Sequence, residues 1–225
     1  MKSLRPYLLS GGALVALALS FLYDAPTLAQ NSKPQQQVID QLRAAIQRDR
    51  KNLAHYTWKQ TETVSVSGSI IKTAVFTVRL NGSGNPVRTV VSQSPSPQFA
   101  QYEQYGKQLS ALAQRYEHLD TNRIRELQAK GNVEIREVGP PGVAQLNIDN
   151  YAKSGDAITL NFDKSKKELL GYIVFTYVNG PADDIGFATT FSRLPDGTTY
   201  STGFTGHSDS RNLDIYLSNS DFTRS

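Results

Sequence analysis

Serine, histidine and aspartate are the residue types of nucleophilic hydrolysis, and the stretch GHSDS at 206–210 sets His207, Ser208 and Asp209 side by side. That adjacency argues against the chemistry. Members of a catalytic triad meet through the fold, whereas neighbours on a strand or turn point apart. No G-x-S-x-G elbow is present to expose a strained serine. The other histidines, His55 and His118, fall where the first helix meets the first strand and on the second helix, and His207 is expected in a late turn. None stands in an H-x-x-x-H or H-E-x-x-H spacing, so no zinc site is expected. Asp183 and Asp184 adjoin in the loop NGPADDIG, which lacks the alternating oxygen ligands of a dedicated calcium loop and reads as a solvated turn. NGSGNP at 81–86 contains G-x-G, but neither a helix start nor a phosphate lysine follows, so it reads as a hairpin turn. The expectation is a protein that is not an enzyme, with no catalytic residue, no metal and no cofactor. A hydrolase with an unfamiliar site would need His118 or His207 to converge with an aspartate or serine in a cleft.

Where the chain works is written at its start. Lys2 and Arg5 precede an apolar run from Tyr7 to Tyr23, and the segment ends in APTLAQ. A basic start, a short apolar region and a small-residue site form the order of a secretory signal peptide, here cut after Ala29. The run is shorter than the about 20 residues of a spanning helix. No cysteine follows it to carry a lipid, so residues 1–29 are expected to leave and residues 30–225 to form one domain in the periplasm or outside the cell. The chain has no cysteine at all, which excludes a disulfide scaffold and leaves the core to hold the fold. The formal charge is +4, and removal of Lys2, Arg5 and Asp24 leaves +3. That excess is scattered: RDRK at 48–51 and KSKK at 164–167 are the densest basic runs. Nucleic-acid binding, which clusters such charge on one face, is not expected. Transient contact with an anionic membrane surface, at about 1 kcal/mol per well-placed basic residue, stays open.

The elements that must position any site follow from periodicity. Val38, Ile39, Leu42, Ala45, Ile46 and Leu53 form one apolar stripe on a helix over 35–54, with Pro34 in its first turn. The period then changes. Two strands joined at Ser67–Ser69 and a third after Gly82–Asn85 are expected, with Ile70, Ala74, Phe76, Val78 and Leu80 on one face. Phe99, Tyr102, Leu109, Leu112, Tyr116 and Leu119 recur every three or four residues as a second helix. Asp120 or Thr121 caps a third, which ends before Gly131. From Val133 onward the chain is strand-like, broken by GPPG at 139–142 and PDGT at 195–198. Leu169–Val178 is apolar on both faces and reads as a central strand with both faces covered. The fold class is therefore α+β: a curved antiparallel sheet or unclosed β-barrel of about ten strands, with an N-terminal helix and an inserted helical pair as lid.

The aromatic residues carry the remaining functional signal. Trp58, Phe76, Phe162, Phe175, Phe187, Phe191, Tyr200 and Phe204 fall at inward parities of different strands. If helices rather than a second sheet cover that face, these eight could line a hollow for an apolar ligand.

An exported chain with a leading helix, a first group of long strands, a helical pair and a second antiparallel group resembles the periplasmic lipoprotein-carrier superfamily. The resemblance implies an unclosed barrel with helices over a cavity that accepts acyl chains. The last 80 or so residues are also similar to a group of uncharacterised secreted bacterial proteins. They share an N-Y-x(3)-G-D pattern (residues 150–156), a D-x-x-x-K hairpin (163–167) and an L-P-D-G-T turn (194–198). Two functions compete: a non-enzymatic envelope protein that binds a lipid or other hydrophobe in the half-barrel, and a structural or protein-interaction module whose core is fully packed.

Overall fold

The computed structural model describes residues 33–117 and 119–224. The expected signal peptide (1–29) and His118 lie outside the described residues. Among the described residues three α-helices and ten strands follow in the expected order, with one 3-10 turn at Asp209–Arg211. Helix α1 spans Lys33–Leu53 and buries Gln35, Val38, Ile39, Leu42 and Ala45, the stripe expected of 3.6-residue periodicity. Strands β1 (Tyr56–Val66), β2 (Ser69–Leu80) and β3 (Pro86–Pro95) form a meander. Helices α2 (Phe99–Glu117) and α3 (Thr121–Ala129) follow. Asp120 caps α3 by accepting from the Asn122 amide at 2.9 Å, which satisfies one of the orphan donors of the first turn. Among the described residues no helix is long and apolar enough to cross a membrane.

The second meander runs through β4 (Val133–Glu137), β5 (Val143–Asp149), β6 (Ala157–Asp163), β7 (Glu168–Tyr177), β8 (Asp184–Arg193), β9 (Thr199–Ser208) and β10 (Leu213–Arg224). The sheet order is β3-β2-β1-β10-β9-β8-β7-β6-β5-β4, and all pairs are antiparallel. The first and last strands of the domain pair with each other and fuse the two meanders. The free edges are β3 and β4, and the chain crosses between them through α2 and α3. The sheet therefore stays unclosed, and the helical pair spans the distance between its edges. Helix α1 lies against β7, β9 and α3. Apolar stripes of all three helices share one core with the inward faces of the strands.

Two expectations about facing are corrected. Ile70 is 65% exposed, and Ile71 is buried in its place. A register shift opposite Val64 and Ser65 inserts Ile71 as an extra residue, and one residue of slip exchanges the two faces. On β7, Tyr172, Val174 and Thr176 point inward, so Phe175 points out and is 54% exposed. Strand β7 is interior to the sheet, but its outer face is uncovered: Leu170 is exposed there as well. His207 lies on β9 rather than in a turn.

The motifs of the C-terminal resemblance are devices for turns. Asn150 adopts a left-handed conformation (φ 58°), and its Oδ1 accepts from the Gly155 amide at 2.8 Å. The Tyr151 hydroxyl accepts from the Asp120 amide at 2.6 Å, which ties the loop to the start of α3. Asp163 Oδ1 accepts from the amides of Ser165 and Lys166, as expected of a turn cap. Asp196 accepts from the Thr198 amide, and Gly197 supplies the positive φ (84°) the turn requires.

Candidate functional site

The centre of the half-barrel is packed. Phe162 and Phe187 are fully buried. Phe187 meets Phe204 with ring centroids 5.1 Å apart and Tyr116 of α2 at 6.0 Å. Gly206, paired with Phe187 across β8 and β9, makes room for that ring; a Cβ there would sit 3.0 Å from it. Beside these rings lies a void of about 20 Å³, room for about one water. Phe76 is half-buried on the inner face, with Arg88 5.9 Å above its ring.

Two larger spaces flank this centre. One is an open groove of about 500 Å³ between α2 and β1, β2, β3 and β10. Its floor is ionic: Lys72 Nζ donates to Glu62 Oε1 at 2.8 Å, and both side chains are largely buried. Lys72 also lies 5.0 Å over the Phe99 ring, and Lys107 pairs with Glu103 at 2.8 Å on the helix above. With ion pairs on its floor and on the helix above, this open groove suits a polar surface more than a greasy ligand.

The other is an aromatic cavity of about 140 Å³ where the end of α1 meets β1, β2 and β7–β10. Trp58, Phe191 and Tyr200 converge on it with Phe222. Trp58 stacks on Phe222 (centroids 5.5 Å, interplanar angle 16°), and Tyr200 meets the same ring at 4.4 Å. Leu53, Leu80 and Tyr172 complete the apolar wall. Phe222 is the residue that sequence reasoning missed. Alternation from Leu213, Ile215 and Leu217 puts it on the outer face. A bulge opposite Trp58 adds one residue, with Asp221 left-handed at φ 54°, and brings Phe222 back to Trp58. At the rim, the NGSGNP turn is a hairpin turn held by Asn81, and Gly84 (φ 76°) lets Arg50 of α1 lie against it.

The structure thus divides the eight expected lining residues. Trp58, Phe191 and Tyr200 meet at the cavity. Phe162, Phe187 and Phe204 fill the centre, Phe76 is half-buried, and Phe175 faces solvent. A register shift between Thr190 and Phe191 falls between Phe204 and Tyr200, so the two serve different spaces.

The cavity also holds a polar chain that sequence reasoning did not find. Asn219 Nδ2 donates to the Ser201 carbonyl at 2.9 Å, which turns Asn219 Oδ1 toward β1. That oxygen accepts from Trp58 Nε1 at 3.2 Å and from Gln60 Nε2 at 2.8 Å. The signal was a polar residue at an inward parity: Tyr56, Trp58, Gln60, Glu62 and Val64 alternate inward, and a buried glutamine is unusual.

His207 and Ser208 point to opposite faces of β9. His207 Nδ1 sits 2.7 Å from Asp214 Oδ1, and Nε2 sits 3.0 Å from Asp209 Oδ1. Burial alone would lower the His207 pKa; the two carboxylates outweigh it and the net direction is up. Ser208 is buried beneath α2, with its hydroxyl 2.7 Å from that of Tyr105. Tyr105 donates to Asp183 at 2.8 Å, and Ser210 and Asn179 also bond that carboxylate. Burial would raise the Asp183 carboxyl, but hydrogen bonds from Ser210, Tyr105 and Asn179 hold it below its ordinary value. Asp183 therefore locks α2 to two loops rather than forming a solvated turn. Among the described residues no cluster of three or more His, Asp or Glu is arranged to hold a metal ion.

No family model matches the chain, and no curated protein matches it. Among solved structures it is similar to a DUF1329 family protein from Desulfovibrio piger, at 8% identity and a TM-score of 0.43, over 86% of this chain and 94% of that one.

Proposed function

We propose that this is an exported, non-enzymatic envelope protein that holds a hydrophobic ligand at the aromatic end of its half-barrel. The observation that carries the reading is the 140 Å³ cavity walled by Trp58, Phe191, Tyr200 and Phe222, beside a centre filled by Phe162, Phe187 and Phe204. An engineered cavity near 150 Å³ lined by Leu, Ile and Phe binds a ring the size of benzene, and the space here is similar in volume, with Asp49, Arg50, Gln60 and Asn219 also on its wall. A ligand group of about that size fits between the rings, and each CH₂ it buries contributes about 0.8 kcal/mol. An acyl chain would seat one end here and leave the rest outside. The non-enzymatic part of the reading is supported by Ser208, which is buried against Tyr105 and turned away from His207. Export rests on the signal-peptide pattern of residues 1–29.

Trp58 is the chain's single tryptophan and part of the cavity wall, so it reports on occupancy directly. Protein purified from a periplasmic extract is expected to release a lipid or other apolar molecule on solvent extraction. Once stripped, it is expected to bind an apolar fluorescent probe with a change in Trp58 emission. Protein that is homogeneous and ligand-free by native mass spectrometry, and that leaves Trp58 unchanged at saturating probe, would overturn the reading.

A specific observation favours a second reading, an interaction module. Strand β3 is a free edge, and it carries Val87, Val90 and Val91 exposed. Free edges pair readily with another extended segment. Loss of a copurifying partner on Val90→Lys, with probe binding intact, would select it.

A further inference from the structure

The polar chain in the cavity wall leaves one acceptor over. An indole N–H is a donor only, so Trp58 requires an oxygen. Asn219 can supply it only as Oδ1, because its Nδ2 is committed to the Ser201 carbonyl. Gln60 meets that same oxygen and must therefore present Nε2. Its Oε1 is turned the other way. Gln60 is 2% exposed, lines the cavity, and its Oε1 has no hydrogen-bond partner. On the same wall Thr199 is buried with its hydroxyl unpartnered. Buried acceptors without a partner are rare, and each leaves a desolvation cost that a donor would remove. The fold enforces this one: the Trp58 donor and the Ser201 acceptor fix the Asn219 amide, and Asn219 Oδ1 in turn fixes Gln60.

We infer that the cavity selects a compact apolar alcohol, a ring or branched alkyl group bearing one hydroxyl that donates to Gln60 Oε1. The inference rests on the ligand-cavity reading above and adds the chemical class. A plain hydrocarbon would leave the acceptor unpaired. A carboxylate or phosphate at this point would set an anion against the Gln60 carbonyl oxygen, with the buried Asp49 carboxylate also in the wall; Arg50, the cation of the lining, lies against the Gly84 turn at the rim. A hydroxyl supplies the missing proton, and its carbon skeleton takes the space between the rings.

The test uses two ligands that differ by hydroxyl against methyl, cyclohexanol and methylcyclohexane, titrated into stripped full-length protein with Trp58 emission excited at 295 nm. Neither ligand absorbs there. Cyclohexanol is expected to bind at least as tightly as methylcyclohexane. In a cavity with no acceptor, burying an unpaired hydroxyl would make it about tenfold weaker or worse. Gln60→Met is expected to lower the ratio of cyclohexanol to methylcyclohexane affinity by about tenfold, whatever it does to both together. If that variant does not fold, the wild-type comparison decides alone. Methylcyclohexane binding more tightly than cyclohexanol to the wild type overturns the alcohol class and leaves the hydrophobic-ligand reading standing. Absence of a Trp58 response to either ligand removes both.

Discussion

Asp156 closes the N-Y-x(3)-G-D segment, and its replacement by alanine is the sharpest test of what that segment does. Three donors converge on its Oδ2: the Tyr116 hydroxyl at 2.6 Å, the Ala152 amide at 2.8 Å and the Lys153 amide at 3.1 Å. Oδ1 is buried without a partner, so the contribution of the carboxylate runs through one oxygen. Burial, then the bond to Asp156, raises the pKa of Tyr116, which therefore stays a donor across the physiological range. Tyr172 in turn donates to the Tyr116 carbonyl at 2.8 Å. A hydrogen bond to a charged acceptor contributes about 1.5–3 kcal/mol, and a buried donor left unpaired costs about 1–3. The three are not additive, because Tyr116 retains Thr176 at 3.0 Å. Asp156→Ala is expected to cost about 4 kcal/mol. For a domain of this size that lowers Tm by about 8–16 °C. Tyr116→Phe removes one of the three bonds and should cost about 1–2 kcal/mol. Circular dichroism melts and urea titrations on both variants measure this. An Asp156→Ala variant within about 1 kcal/mol of the wild type would refute the assignment. So would a Tyr116→Phe variant as unstable as Asp156→Ala, because the backbone amides would then contribute nothing.

Three further outcomes follow from the packing and the charges. Phe175→Ser, on the uncovered outer face, should change stability by no more than about 0.5 kcal/mol, whereas Phe162→Ala should cost about 3–5, both read by urea denaturation. Gly206→Ala forces a methyl to 3.0 Å from the Phe187 ring and should cost about 1–3 kcal/mol, visible as a lower melting temperature. His207 has a folded pKa raised above its ordinary 6.5. The stability it contributes is complete below pH 6.5 and is lost as pH rises through the folded value. Unfolding titrations from pH 6 upward should reveal that decline in the wild type and a flatter profile in His207→Gln.

Helix stripes and turn chemistry were legible in the sequence because both are local. The stripe of α1, the cap at Asp120, the Ser67–Ser69 turn and the ten strands each depend on residues within a few positions of one another. Facing was less legible. Ile71 and Phe222 are inward because one strand carries an extra residue opposite its neighbour, and a bulge belongs to a pair of strands rather than to either one. Phe175 sits on a strand apolar on both parities, where only the covering layer tells the two faces apart.

By itself the sequence determined the α+β class, the order of elements, the helical insertion and the turns of the C-terminal motifs, because short-range periodicity and backbone preferences act before distant segments meet. Only the tertiary structure decided that the aromatics split between a packed centre and an end cavity, since β1 meets β10 across the whole domain. It also decided that Gln60, an ordinary polar residue in the chain, becomes a buried acceptor. That status depends on Trp58 and Ser201 holding the opposite ends of one amide at Asn219, an arrangement that exists only once three strands lie side by side.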